Sequence, residues 1–184
     1  MTTYVAMLRG INVGGHQKVS MAALRTLVTD LGHSEVATYI QSGNVVFKSR
    51  AADSTRVARA LEARIKRDLG LSVTVVVRTS AELTRVAAAN PFLKAGKDAA
   101  TLYVIFLASA PDAALVKKID PTAFKPDEFR VIRREIYAHY PKGYGRSKLT
   151  NNVFEGRLKV AGTARNWHTV TSLLQMTSNA KAEK

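Results

Sequence analysis

A loop near the N-terminus carries residues of the types that bind an anion. The stretch 9–15 joins a strand-like segment to a helix-like segment and contains Arg9, Asn12 and Gly14. Glycines allow a backbone to approach a ligand closely, and a glycine-bearing turn before a helix is one way in which proteins hold phosphates. The spacing matches neither the dinucleotide fingerprint nor the P-loop, so it favours a simple turn over a nucleotide motif. Core packing, however, requires neither Arg9 nor Asn12.

A second polar segment, Gln41-Ser42-Gly43-Asn44, lies between two predicted strands. A hairpin turn explains Gly43 and Asn44, because both residue types tolerate the left-handed backbone conformation. The same turn requires neither Gln41 nor Ser42, whose side chains can exchange hydrogen bonds with a ligand. Turn and ligand site therefore both remain possible interpretations of this segment.

Two basic segments in the C-terminal half predict a second anion site. Ser147 and Thr163 are placed as N-caps of two helices, so that the first-turn amides, Lys148 and Arg165 can converge on one anion, with Asn166 beside them. In that arrangement Arg165 lies in a first helical turn, where a cation opposes the helix dipole unless an anion offsets it. An exposed loop with solvated charges is the alternative interpretation of the segment around Lys148.

The absent residue types exclude several kinds of chemistry. The chain has no cysteine, so disulfides, a thiol nucleophile and cysteine-ligated zinc are excluded. The four histidines show no metal-binding spacing and no carboxylate pair forms a motif, so we expect neither a metal site nor a cofactor, and no catalytic residue can be assigned. These histidines are His16, His33, His139 and His168.

The first half of the chain alternates segments with strand and helix patterns. Apolar residues at helical spacing predict one helix between Ser20 and Gly32, and another that begins at Asp53 or Ser54 and ends at Gly70. Apolar and β-branched runs predict four strands. The predicted strands cover residues 4–8, 36–40, 44–48 and 73–77. The resulting order βαββαβ predicts a ferredoxin-like module over residues 1–79.

The patterns over residues 80–184 predict a second, related module with the order βαββαα. We expect this module to pack against the first, and the predicted fold class is α+β. A capping box over Thr79 to Glu82 predicts a short helix before the first strand of this module. Pro111 is placed at the first position of a helix that carries Leu115, Val116 and Ile119. The remaining predicted elements are a strand at 102–107, a hairpin of 129–132 with 136–140, and helices around 149–154 and 164–176.

In the βαββαβ order, the first and third strands are antiparallel neighbours at the centre of the sheet. The end of the first strand and the start of the third then meet at one edge. We therefore expect Arg9 and Asn12 to approach Gln41, Ser42 and Asn44 around a common mouth.

The charge of the chain indicates which partners it can attract. Its 184 residues include 28 basic and 14 acidic side chains, which give a formal net charge of +14. Such a surface attracts polyanions and anionic substrates, although a genome rich in arginine codons explains the charge equally well. There is no apolar run long enough for a membrane span and no signal-peptide pattern, so we expect a cytoplasmic protein without a membrane partner.

Five motifs, in order along the chain, resemble a bacterial family catalogued as a domain of unknown function, the one numbered sixteen ninety-seven. The motifs are Leu8–Gly15, Tyr39–Phe47, Asn90–Phe92, Ser147–Leu149 and Thr163–Trp167. The resemblance implies a fold but no established activity. Gly156 and Lys159 stand where the family pattern has a basic residue and a glycine, so the turn before the last helix departs from that pattern.

Two functions from different classes remain open. The first is a basic protein that binds an anionic ligand, either a small molecule or a nucleic acid, without chemistry. The second is an enzyme that acts on a small phosphorylated or carboxylated substrate in a cleft between the two modules. The abundance of positive charge and the absence of an evident general base favour the first function.

Overall fold

The computed structural model describes residues 1–15 and 17–182. The chain divides into two compact units. Unit 1 comprises Met1–Arg85 together with the residues from Ser172 onward, and unit 2 comprises Val86–Thr171. Each unit contains one four-stranded sheet in which all strand pairs are antiparallel. The predicted α+β class is therefore confirmed.

Unit 1 contains its secondary structure in the predicted order βαββαβ. The elements are β1 (Thr2–Leu8), α1 (Met21–Asp30), β2 (Ser34–Tyr39), β3 (Asn44–Ser49), α2 (Ser54–Leu69) and β4 (Val75–Thr79). The strand order in the sheet is β2-β3-β1-β4, so β1 and β3 are the central neighbours that the sequence predicts. The helix α3 (Ser80–Ala89) follows β4 directly.

Local capping residues explain where the helices of this half begin. The Ser20 hydroxyl accepts a hydrogen bond from the Ala23 amide at 3.1 Å, and Asp53 caps α2 through the Thr55 amide. Thr79 and Glu82 exchange backbone-to-side-chain hydrogen bonds in both directions, which is the predicted capping box.

The core of unit 1 lies between one face of the sheet and the helices α1 and α2. Alternate residues of β1 and β3 point into it, including Tyr4 and Phe47, and Leu24 and Leu61 meet them from the two helices. Burial of each such side chain stabilises the unit by about 1.5–3 kcal/mol. This packing fixes β1 and β3 against the helices, and with them the points from which the adjoining loops leave the sheet.

Unit 2 repeats the same alternation of elements. They are α4 (Pro91–Lys94), β5 (Leu102–Leu107), α5 (Ala113–Lys117), β6 (Glu128–Ile132), β7 (Glu135–His139), α6 (Asn151–Leu158), β8 (Gly162–Asn166) and the start of α7 (Trp167–Ala182), whose residues from Ser172 onward belong to unit 1. The order in the sheet is β6-β7-β5-β8. The strand at β5 and the hairpin of β6 with β7 were predicted.

The end of the predicted order βαββαα is wrong, because strand β8 precedes the last helix. Residues 162–166 pair with β5, with Gly162 opposite Leu107. A side chain on Gly162 would lie 3.0 Å from Leu107 Cδ2 and 3.1 Å from Ile105 Cγ2, so glycine allows the close pairing. The last helix therefore begins at Trp167 and not near Ala164.

Two predicted helix starts are also displaced. Asp112 caps α5 by accepting a hydrogen bond from the Ala114 amide at 2.7 Å, so Pro111 lies outside the helix. Thr150, and not Ser147, caps α6 through the Val153 amide. In both cases the capping residue lies one to three positions after the residue from which the sequence predicted the helix to start.

Candidate functional site

The loop after β1 and the turn before β3 meet at one edge of the unit 1 sheet. The Leu8 amide donates to the Gly43 carbonyl at 2.8 Å, and Met7 pairs with Asn44 in the sheet register. The next amide, that of Arg9, donates to the Thr74 carbonyl at 2.9 Å. The end of β1 and the start of β3 therefore meet at one edge, as the strand topology predicts.

Asn12 joins the loop to the turn. Its Nδ2 donates to the Gln41 carbonyl at 2.7 Å and to the Val19 carbonyl at 2.9 Å, and its Oδ1 accepts from the Val19 amide at 2.9 Å. Its φ of +55° lies in the left-handed region, which asparagine tolerates better than most residues. Asn12 thus positions the backbone of the mouth, and its amide is largely committed to that task.

Asn44 has a similar internal role in the turn. It is fully buried, and its Nδ2 donates to the Tyr39 carbonyl at 3.1 Å and to Ser42 Oγ at 2.9 Å. Ser42 is half-buried, whereas Gln41 is exposed. Of the predicted residues in this turn, Gln41 is therefore the one that presents its side chain to solvent.

Gly43 permits the close contact between the turn and the loop. Its φ is +76°, and an added Cβ would lie 2.6 Å from Ile11 Cδ1 and 2.9 Å from Leu8 Cβ. No side chain fits that space without movement of the core residues. The contact fixes the position of the turn against β1.

A cleft of about 380 Å³ opens beside this contact. We call it the Lys18 cleft, and it is lined by Asn12, Gly15, Lys18, Val19, Ser20 and Gln41. Of the residues predicted from sequence, Asn12 and Gln41 line it, whereas Arg9, Gly14, Ser42 and Asn44 are not among the lining residues. Sequence reasoning did not assign Lys18 or Ser20 to the site, although both directly precede a predicted helix start.

The electrostatic character of the Lys18 cleft is positive. Ser20 is the N-cap of α1, and the first turn of α1 contains no acidic residue, so no carboxylate there offsets the positive end of the helix dipole. Lys18 adds an exposed ammonium group. The residue between Gly15 and Gln17, His16, lies outside the described residues.

Neither of the two helix starts that define the second predicted anion site lies where the sequence predicts it. Thr163 and Arg165 lie on β8, and Arg165 is 7% exposed. Its guanidinium donates to Thr163 Oγ1 at 2.7 Å and to the Ala164 carbonyl at 2.8 Å, and burial lowers the pKa of Arg165 to about 10. The predicted N-cap role of Thr163 and first-turn position of Arg165 are wrong.

Ser147 and Lys148 lie in the segment before α6. The Ser147 hydroxyl donates to Asp127 Oδ2 at 2.6 Å and accepts from the Leu149 amide at 2.8 Å, so it braces a turn. Lys148 is exposed. In the same segment Tyr144 stacks on Tyr103, with 4.9 Å between ring centroids.

Asn166 borders a second cavity, in unit 2. It caps α7, accepting a hydrogen bond from the Thr169 amide at 2.8 Å. With Trp167, His168 and the short segment at Ala99, it lines a groove of about 490 Å³. Trp167 itself is only 7% exposed.

One polar cluster in unit 2 was missed. His139 Nδ1 lies 3.1 Å from Glu128 Oε1, and Lys97 Nζ lies 3.1 Å from the same oxygen. Hydrogen bonds from Lys97 and then His139 lower the pKa of the Glu128 carboxyl. The Phe92 ring lies 6.0 Å from the His139 ring, and Arg130 lies over Phe92. The signal was the hairpin register, which places Glu128 directly opposite His139.

Two structural features bear on broader classes of function. Among residues 1–15 and 17–182, no group of three or more histidine, aspartate or glutamate side chains could hold a metal ion. Within the same residues, no helix combines the length and the apolar character needed to cross a bilayer.

The comparisons with known proteins agree with the resemblance deduced from the motifs. A family model described as "Protein of unknown function (DUF1697)" matches residues 1–137, so the segments around Ser147 and Thr163 lie beyond the matched range. A conserved bacterial protein from Streptococcus pneumoniae has a similar solved structure, with a TM-score of 0.76 and 24% identity over 96% of this chain and 98% of that chain. At this identity the likeness shows the fold alone. No curated protein matches the chain.

Proposed function

The chain belongs to the DUF1697 family of proteins of unknown function, and we propose that it binds a small anionic ligand in the Lys18 cleft. The observation that carries the proposal is the meeting of Lys18, the capped start of α1 and the exposed Gln41 in one concave site. Each of these groups favours a negative charge or can donate a hydrogen bond to it. The overall charge of +14 favours the approach of an anion.

The two units support a comparison within the chain itself. We infer that both are ferredoxin-like modules, because their element order and strand order correspond. Equivalent hydrogen bonds join Leu8 to Gly43 at 2.8 Å in unit 1 and Leu107 to Arg134 at 2.9 Å in unit 2. At the start of the corresponding helix, however, unit 2 carries the carboxylate of Asp112.

This difference favours an anion site in unit 1 over one at the equivalent place in unit 2. The neutral hydroxyl of Ser20 leaves the positive end of α1 without a compensating charge, whereas Asp112 neutralises that of α5. The helix α5 is also only five residues long, so its dipole is weaker. The two corresponding helix starts thus differ in the charge of the residue that caps them.

The described residues of the cleft suit the binding of an anion and not its chemical conversion. The groups that line the cleft are amide, hydroxyl and ammonium groups, which hold and orient an anion. Among the described lining residues there is no carboxylate or imidazole to act as a general base. The enzyme hypothesis remains a prediction that no observation favours.

A nucleic acid is the alternative to a small anion as the ligand of this protein. Helix α2 exposes Arg56, Arg59 and Lys66, while Arg64 on the same helix is held by Asp68. A solvated helix face explains these charges without a ligand. A polynucleotide would release many counterions, so its binding would weaken steeply as salt rises, whereas a small anion in the cleft would respond mildly.

A calorimetric titration with inorganic phosphate tests the proposal. Removal of one exposed charge about 4 Å from an anion costs about 1 kcal/mol, so Lys18→Gln should weaken binding about fivefold. The matched control is Lys148→Gln, an exposed lysine in unit 2, which should bind phosphate like the wild type. Equal affinity in all three proteins, or no binding in any, would contradict the proposal.

A further inference from the structure

The solvent-facing side of helix α2 carries only positive charge. Five exposed residues of this helix fall on one side of it at 3.6 residues per turn, opposite the residues that α2 buries in the core of unit 1. We call this side the α2 stripe, and it comprises Arg56, Arg59, Ala60, Ala63 and Lys66. Its three charged members are all basic.

The acidic residues of α2 and its cap are engaged elsewhere in unit 1. Asp53 caps the helix, and Glu62 accepts a hydrogen bond from the Val75 amide at 2.8 Å. Asp68 pairs with Arg64, away from the stripe. The carboxylates of this segment therefore serve the fold and do not neutralise the stripe.

Solvation accounts for exposed charges on a helix, but it does not account for their single sign here. On a helix face that is only solvated, both signs usually alternate and attract each other three or four residues apart. Arg56 and Arg59 are three residues apart and repel each other. Arg56 also lies in the first turn of α2, where a positive charge opposes the helix dipole. A polyanion on this face relieves both effects.

The length of the stripe matches a groove of duplex DNA. At a rise of 1.5 Å per residue, Lys66 lies about 15 Å from Arg56 and about 10 Å from Arg59 along the helix axis. The major groove of B-DNA is about 12 Å wide. Cations at the two ends can therefore reach phosphates of the two strands that border the groove. Ala60 and Ala63, between them, have short side chains that allow a close approach.

We propose that the α2 stripe is a docking surface for the phosphate backbone of double-stranded DNA. Its cations contact phosphates, which carry no direct sequence information, so binding is independent of base sequence. The net charge of +14 steers the protein toward such a polyanion. The stripe shares no residue with the Lys18 cleft, so this inference goes beyond the proposed function.

Fluorescence anisotropy with a short labelled duplex of mixed sequence tests the proposal. With three phosphate contacts, the logarithm of the binding constant should fall with the logarithm of salt concentration at a slope of about −2.7. Arg59→Gln should reduce the slope to about −1.8 and weaken binding about fivefold. The matched control is Arg85→Gln, which removes an exposed arginine of α3 and should keep the wild-type slope and affinity.

A gain of binding provides a second test that misfolding cannot imitate. Ala63→Lys adds a fourth cation to the stripe, so binding should tighten about fivefold and the slope should steepen to about −3.6. An affinity unchanged from the wild type in this variant would overturn the proposal.

The remaining outcomes separate this surface from general positive charge and from the Lys18 cleft. No binding of the duplex at low salt, or equal losses in Arg59→Gln and Arg85→Gln, would overturn the proposal. A single strand of the same sequence that binds as tightly as the duplex would also overturn it, because a single strand has no groove. Lys18→Gln should bind DNA like the wild type, and Arg59→Gln should bind inorganic phosphate like the wild type, so failure of either proposal is seen separately.

Discussion

Replacement of Gly43 by alanine tests the contact that shapes the mouth of the Lys18 cleft. The φ of +76° costs an alanine about 1–2 kcal/mol. The new Cβ would also lie 2.6 Å from Ile11 Cδ1 and 2.9 Å from Leu8 Cβ, and both residues are almost fully buried. Overpacking of this kind costs about 1–3 kcal/mol more. We therefore expect Gly43→Ala to lower the free energy of unfolding of unit 1 by about 2–5 kcal/mol.

Gly70 provides the matched control for the backbone term. Its φ is +70°, close to that of Gly43, but an added Cβ would meet nothing within 4 Å. Gly70→Ala should therefore cost only the conformational part, about 1–2 kcal/mol. Urea unfolding followed by the amide NMR signals of β1 and β3 reports unit 1 separately. Equal losses of stability in the two variants would refute the steric argument.

Three further substitutions test other parts of the account. Burial lowers the pKa of His33, whose Nε2 has no hydrogen-bond partner. The stability that depends on neutral His33 should therefore be present above pH ~6.5 and be lost as the pH falls through the lower folded-state pKa. In thermal unfolding, acidification should lower the stability of His33→Gln less than that of the wild type. Asn12→Ala removes three hydrogen bonds and a residue suited to φ +55°, so we expect a loss of about 2–4 kcal/mol and faster hydrogen exchange at the Val19 amide. Thr79→Ala breaks the capping box with Glu82 and should cost about 1 kcal/mol in urea unfolding.

Features that depend on nearby residues could be predicted from the sequence. The starts of α1, α2 and α3 follow from capping side chains within three residues of the amides that they satisfy, as at Ser20, Asp53 and Thr79. The mouth in unit 1 was also predictable. It follows from the strand order, which places the end of β1 and the start of β3 at the same edge whichever side chains occupy the loops.

Features that depend on distant partners could not be predicted in the same way. Strand β8 contains no apolar run, and its five residues form a strand because β5 provides hydrogen-bonding partners and Gly162 allows a close approach. Thr163 resembles an N-cap by type alone, and only this pairing excludes that role. Lys97 lies outside the predicted hairpin, so its contact with Glu128 requires the folded unit, whereas the hairpin register alone brings His139 opposite Glu128.

The location of the polar motif residues could be predicted from the sequence, but their hydrogen-bond partners could not. Asn12 and Asn44 lie at the expected mouth, yet their amides bond mainly to backbone and to Ser42. A sequence does not reveal whether an asparagine in a turn serves the backbone or a ligand, because both uses need the same hydrogen-bonding groups. The positive groups of the cleft are instead Lys18 and the first turn of α1.

A map of phosphate binding by amide NMR tests the central claim most directly. The account predicts that inorganic phosphate shifts the signals of the residues around Lys18, Ser20 and Gln41, with saturation. It also predicts little change around Asp112, where the equivalent helix of unit 2 begins with a carboxylate. The largest shifts at Asp112, or no saturable shift around Lys18, would contradict the claim that this cleft is an anion site.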